Sequence, residues 1–220
     1  MSRAVDSSRS VAGIRFSRVE LRDLAAAWVI LGIAFTIFLN RGIVQALLAG
    51  RVPPGALALA FTASMLTVGT GFLLHELAHK VVAVRFGQVA QFRADYSMLG
   101  LAVVAALAGF LFAAPGAVYH RGFITERENG LIALAGPATN GVLAAVFLLI
   151  AELGTGFLGA VGSLGFLVNV LLAAFNMIPF GPLDGRKVLA WDRRVFAVTF
   201  AFAAGLAAAI LLGLFPSSFL

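Results

Sequence analysis

The sequence predicts an all-α fold, a polytopic bundle of transmembrane helices. Three observations predict it. Hydrophobic residues make up 61% of the 220-residue chain, charged residues only 12%, and mean hydropathy is +1.00, a balance foreign to ordinary soluble domains. Apolar windows recur, each near the ~20 residues that a helix needs to cross about 30 Å of hydrocarbon. The basic residues gather in the connections that flank these windows.

Taken in order, residues 1–23 hold Arg3, Arg9, Arg15, Arg18 and Arg22 beside Asp6, Glu20 and Asp23. They read as a basic, solvated, partly disordered cytoplasmic tail. The apolar run behind them is too long for a cleaved signal peptide. Residues 24–220 then read as one membrane domain with six apolar windows. The first covers 24–39, with a continuation to 48 left open. The others cover 56–84, 99–118, 131–151, 157–178 and 195–215.

Six alternating crossings would place Arg186, Lys187, Arg193 and Arg194 outside, against the positive-inside bias. They would also end the second and fifth windows on opposite sides. If 99–118 enters and leaves on one side, nearly all the basic residues become cytoplasmic, and of them only Arg41 and Arg51 stay outside. Gly100, Gly109, Pro115 and Gly116 permit the necessary bending where the irregular backbone packs on protein. The expectation is five crossings plus one re-entrant segment, with an ordinary sixth crossing as the alternative. The protein is then a multi-pass component of the cell membrane with its N-terminus in the cytoplasm. Trp28, Tyr96, Tyr119 and Trp191 fall near expected span ends, as an aromatic belt does.

The chemistry lies in the second window, which contains His75-Glu76-Leu77-Ala78-His79. Residues four apart share a helix face, so both imidazoles can serve one ion. Glu76 stands beside them as a general base. Ionisable groups are costly within a bilayer, so an inert pair of buried histidines explains the motif poorly. The chain has no cysteine, which leaves His, Asp, Glu or Asn as ligands. Imidazole and carboxylate suit Zn²⁺, one per chain. The net charge of +6 forms no separate basic domain, so nucleic acid is excluded as a partner; the lipid bilayer is the expected one.

A catalytic zinc site uses three protein ligands. Candidates for the third are His120, Glu126, Glu128, Glu152, Asp184 and Asp192. Asp184 has the most suggestive setting. Asn176, Pro179, Pro182 and Gly185 surround it, and the two prolines break the fifth helix where a cavity can form. The five-crossing topology puts Asp184 on the side of His75 and His79. Gly136-Pro137-Ala138-Thr139-Asn140 opens the fourth window. Its Asn140 either turns toward the site, holding substrate or a developing oxyanion, or makes a packing bond between helices. Asn169, in the middle of the fifth window, reads as a helix-to-helix bond.

Together, His75-Glu76-x-x-His79, Gly136-Pro137-x-x-Asn140 and Asn176-x-x-Pro179-x-x-Pro182-x-Asp184-Gly185 resemble the site-2 protease family of intramembrane zinc metalloproteases, peptidase family M50. The resemblance covers residues 57–190. It implies that His75, His79 and Asp184 bind zinc, that Glu76 is the general base, and that Asn140 lines the site. It implies hydrolysis of peptide bonds in or beside a transmembrane helix of a protein substrate, in regulated intramembrane proteolysis, on the cytoplasmic side. It also suggests an edge strand within 88–96 that pairs with unfolded substrate. A non-proteolytic scaffold or metal transporter of the same fold is the competing expectation. A transporter would need polar groups in both halves of the membrane, and here they cluster in one.

Overall fold

In a computed structural model, residues 9–11, 13–40, 42–110 and 115–214 are described. Five helical stretches are long and apolar enough to cross a membrane. The first is α1 (Arg18–Leu39), capped by the Ser17 hydroxyl, which accepts the Glu20 N–H at 3.1 Å. It stops at Asn40, and Gly42 turns the chain at φ +83° into a separate short helix, α2 (Ile43–Leu48). The continuation to residue 48 is therefore not one helix.

The second stretch joins α3 (Pro54–Ser64) to α4 (Thr70–Arg85) through a π-helical turn, Met65–Gly69. Such turns re-phase a helix and cluster at functional sites. Here only Ser64 of α3 is buried, whereas α4 buries His75, Glu76, His79 and Lys80. The Met65 carbonyl accepts from the Trp28 indole N–H and from the Thr70 hydroxyl, each at 3.1 Å. Trp28 thus tends an irregular carbonyl from the middle of α1, where an aromatic-belt position was expected.

The third window is not a crossing. Residues 99–118 divide between α5 (Tyr96–Leu107) and a strand, β4 (Gly116–Arg121), which pairs antiparallel with β3 (Val89–Ala94). The Asp95 N–H donates to the Pro115 carbonyl at 3.0 Å, so the excursion leaves and returns at one level. Its apolar side is covered by α1, where Ala34 packs with Ala102 and Ala106. Two small strand pairs thus sit within a largely helical chain. The other pair is β1 (Arg9–Val11) with β2 (Ile14–Phe16).

The remaining spans are α6 (Glu126–Leu153), α7 (Gly156–Asn176) and α9 (Arg193–Leu211), with the short α8 (Asp184–Trp191) before the last. α6 and α7 form the closest pair, around Ala144, Phe147, Val161, Phe166 and Val170, with Ala207 and Ile210 of α9. Gly165 makes this possible, since a Cβ there would run into the Phe147 ring.

The expected tail boundary at residue 23 is too late. Residues 14–16 are a strand and 18–23 are helix, and both acids at its start are buried. Glu20 receives the Lys80 ammonium at 2.6 Å on each carboxylate oxygen, and both side chains are 1% exposed. Asp23 takes the Tyr96 hydroxyl at 2.8 Å and Arg22 at 3.1 Å. Partners distant in sequence, invisible to a reading of local charge, hold this segment in the fold. The disorder expected for residues 1–8 lies outside the described residues, as does residue 215 of the last window.

Candidate metal centre

The helical spacing of α4 puts His75 and His79 side by side, as expected. Their rings meet edge to face, and their Nε2 atoms stand 3.0 Å apart. Asp184 comes from the opposite wall. Pro179 and Pro182 cannot continue α7, which ends at Asn176 with its amide donating to the Leu172 carbonyl at 3.0 Å. Gly181 bends the link at φ +59°, and α8 restarts at Asp184. Gly185 lets this restart press on the end of α7, because a Cβ there would collide with the Met177 carbonyl. The Asp184 Oδ2 then lies 3.3 Å from His75 Nε2 and 3.2 Å from His79 Nε2. Lys187 stands 3.7 Å from its other oxygen.

All three side chains are buried. Among the described residues they are the one group of His, Asp or Glu gathered closely enough to hold a metal. Tetrahedral zinc, with ligands at about 2.0–2.1 Å, keeps its ligand atoms about 3.3 Å apart. The observed separations of 3.0–3.3 Å match that spacing.

The neighbours of each imidazole fix which nitrogen faces the site. His79 Nδ1–H donates to the Ile132 carbonyl at 2.7 Å, and His75 Nδ1–H donates to Asn140 Oδ1 at 2.6 Å. A neutral imidazole so held presents a bare lone pair at Nε2. Two such lone pairs and a carboxylate oxygen converging on one point require positive charge at the centre, and the donor set fits zinc.

Gly136 makes the close approach of α4 and α6 possible. A Cβ at that position would stand 2.5 Å from His75 Cε1 and Nε2 and 2.6 Å from His79 Cε1. Pro137 follows it inside α6. Of its two readings, the contacts of Asn140 are those of a bond between helices. It is wholly buried, its oxygen is taken by His75, and its amide donates to the Gly71 carbonyl at 3.2 Å and to Asn169 Oδ1 at 2.9 Å. Both amide hydrogens are engaged, so in this arrangement Asn140 has no N–H left for a substrate carbonyl or a developing oxyanion.

Glu76 is buried beside this group, and its Oε2 accepts the Val118 N–H of β4 at 3.0 Å. The other candidate ligands have different placements. Glu128 closes a capping box with Thr125 at the start of α6, and Glu126 is exposed in the same turn. Asp192 caps α9, and Glu152 is exposed in the last turn of α6. His120 is half-buried on β4, where burial and the nearby Lys187 ammonium push its pKa down. The strand β4 was absent from the residue-level expectations. Its signal was the alternating burial of Gly116–Arg121, short and hidden in an apolar window.

Fold and site define a class: a membrane protein of five apolar spans, with His75, His79 and Asp184 close enough together to hold a metal beside a buried glutamate. Two known proteins are similar to the chain. "Putative zinc metalloprotease MJ0611" of Methanocaldococcus jannaschii is 42% identical over 189 residues, covering 84% of this chain and 90% of that protein. "Putative zinc metalloprotease YwhC" of Bacillus subtilis is 32% identical over 146 residues, covering 57% of this chain and 66% of that protein. No protein-family model matches the chain, and no solved structure matches it significantly. The chain belongs to the family of these zinc metalloproteases and is a membrane member of it.

Proposed function

We propose that the protein is an intramembrane zinc endopeptidase of the site-2 protease type, in family M50. It would cut membrane-protein substrates within or next to their transmembrane segments. The observation that carries this reading is the burial of His75, Glu76, His79 and Asp184 among apolar spans, where ionisable groups are otherwise too costly.

His75, His79 and Asp184 hold the ion. When bound, zinc supplies Lewis acidity, lowering the pKa of water to about 7 and polarising the scissile carbonyl. Glu76 takes the proton from the attacking water and passes it to the departing amine. The Val118 amide fixes one oxygen of that carboxylate and leaves the other for the proton.

The substrate must come unwound, because a helix hides its carbonyls in hydrogen bonds. An edge that receives it is β4, and the placement within 88–96 shifts accordingly. Two outward amides of β3 are already taken: Phe92 N–H by Glu20 at 3.0 Å and Ala94 N–H by Asp23 at 3.4 Å. Antiparallel alternation then turns the backbone groups of their partners Val118 and Gly116, and of His120, away from β3. Val118 already bonds Glu76, so a strand added to this edge lies beside the general base. The clustering of basic residues favours placing this end of the bundle, with the N-terminus, in the cytoplasm of a cell membrane.

The test is cleavage of single-span membrane peptides by purified protein in detergent, wild type beside Glu76→Gln, with bound metal measured in both. The expected result is about one zinc in each and cleavage by wild type alone. Cleavage that survives Glu76→Gln, or wild-type protein free of metal as purified, overturns the reading.

A further inference from the structure

Asn169 is wholly buried in the middle of α7, and nothing in the proposed chemistry uses it. An amide at this depth is costly unless it is bonded, and here the bonds lead in one direction. Its Nδ2 donates to the Gly165 carbonyl at 2.8 Å. Its Oδ1 accepts Asn140 Nδ2 at 2.9 Å. Asn140 Oδ1 in turn accepts His75 Nδ1–H at 2.6 Å.

A backbone carbonyl can only accept. Gly165 therefore fixes which end of the Asn169 amide faces it, and so presents an oxygen to Asn140. The Gly71 carbonyl, 3.2 Å from Asn140 Nδ2, demands the same orientation. Asn140 must then show its oxygen to His75, His75 must carry its proton on Nδ1, and Nε2 is left bare toward Asp184. Packing confirms how closely the three helices are fitted here: a Cβ on Gly71 would stand 2.8 Å from Asn169 Oδ1.

We propose that Asn169 is a positioning residue for the metal centre, setting the His75 tautomer through Asn140. The inference rests on the zinc metalloprotease reading of the site. Partners of this kind, one step removed from a ligand, change metal affinity by about 10–100-fold when lost.

The experiment replaces Asn169 by Leu, which keeps the branched shape, is somewhat bulkier, and removes both bonds. Two quantities are read on the folded protein in detergent. One is zinc affinity by chelator competition. The other is the 15N spectrum of histidine-labelled, zinc-free protein at alkaline pH, simplified by a total of three histidines. Wild type is expected to show His75 as one Nδ1–H tautomer. Asn169→Leu leaves the longer Gly71 bond as the remaining constraint on the Asn140 amide, and is expected to show a second, Nε2–H tautomer of His75 and zinc binding weaker by about 10-fold or more. Wild-type values for either quantity, even with a lowered melting temperature, overturn the inference. If Asn169→Leu does not fold, Asn169→Ser, too short to reach Asn140, carries the same expectations. Should wild type itself bind no zinc, the metalloprotease reading fails, and the zinc-free spectra still decide the role of Asn169.

Discussion

Lys80 follows the second zinc-facing histidine and is 1% exposed, the largest of the fully buried side chains. Its ammonium donates to both Glu20 oxygens at 2.6 Å and to the Arg15 carbonyl at 2.7 Å, and lies 4.0 Å above the centre of the Phe16 ring. Replacing it by Met removes the cation and leaves the Glu20 carboxylate buried, with the Phe92 N–H as its remaining described donor. Breaking a buried pair from one side costs about 3–5 kcal/mol. For a chain of this size each kcal/mol lowers Tm by roughly 2–4 °C, so Lys80→Met should melt roughly 6–20 °C below wild type. Adding Glu20→Gln removes the stranded charge and keeps an acceptor for Phe92. The double variant should therefore recover most of the loss. The assay is thermal unfolding in detergent of wild type, both single variants and the double. A Lys80→Met protein that melts within about 3 °C of wild type, less than the loss of roughly 1 kcal/mol, would refute the claim that this pair ties α1 to α4.

Three further outcomes follow from contacts already described. Gly136→Val should abolish zinc retention, because its side chain would occupy the space of the His75 and His79 rings; metal analysis of the purified variant checks this. Gly185→Ala forces α8 off the Met177 carbonyl and should weaken zinc binding through Asp184, while Glu76→Gln leaves binding intact; chelator competition separates them. Asp192 accepts the Arg194 and Val195 amides at 2.7 and 3.0 Å, which hold its carboxyl below the ordinary 3.8. A lowered native pKa means this stabilisation is complete above pH about 3.8 and fades as pH falls through the native value. Asp192→Asn keeps a cap but should flatten that part of the acid limb of a melting-temperature profile.

The parts of the fold legible in sequence were those written in hydrophobic length. Five spans and the same-side return of 99–118 followed from window lengths and the placement of Arg and Lys. The convergence of His75, His79 and Asp184 could be anticipated from spacing: four residues on one helix, and a helix restart after two prolines. Less was visible where a side chain's role depends on a partner far along the chain. Glu20 and Lys80 are 60 positions apart. Each reads locally as a solvated charge at a membrane boundary. Asn140 carried two readings, and only its contacts with His75, Gly71 and Asn169 decide between them. β4 was lost because six alternating residues carry little signal beside an apolar run.

The placement of polar groups also bears on transport as a rival to proteolysis. A carrier needs ionisable or polar side chains along a path through both halves of the bilayer. Here the connected groups run from Asp184 through His75 and Asn140 and stop at Asn169. Beyond it, α6, α7 and α9 close over Ala144, Phe147, Val161, Phe166, Val170 and Ile210. An ion released from His75 toward that end would meet this apolar packing, and the buried polar side chains at Thr36, Ser64 and Thr67 are neutral hydroxyls rather than ionisable ligands. On the other side lies β4, with backbone groups turned away from its partner and the Val118 amide on Glu76. A group closed toward the far face and bordered by a strand edge supports the proposed encounter with an extended polypeptide. If transport were the function, zinc uptake into sealed vesicles should survive Glu76→Gln, because that change spares every ligand; the proteolytic reading expects no uptake from either protein.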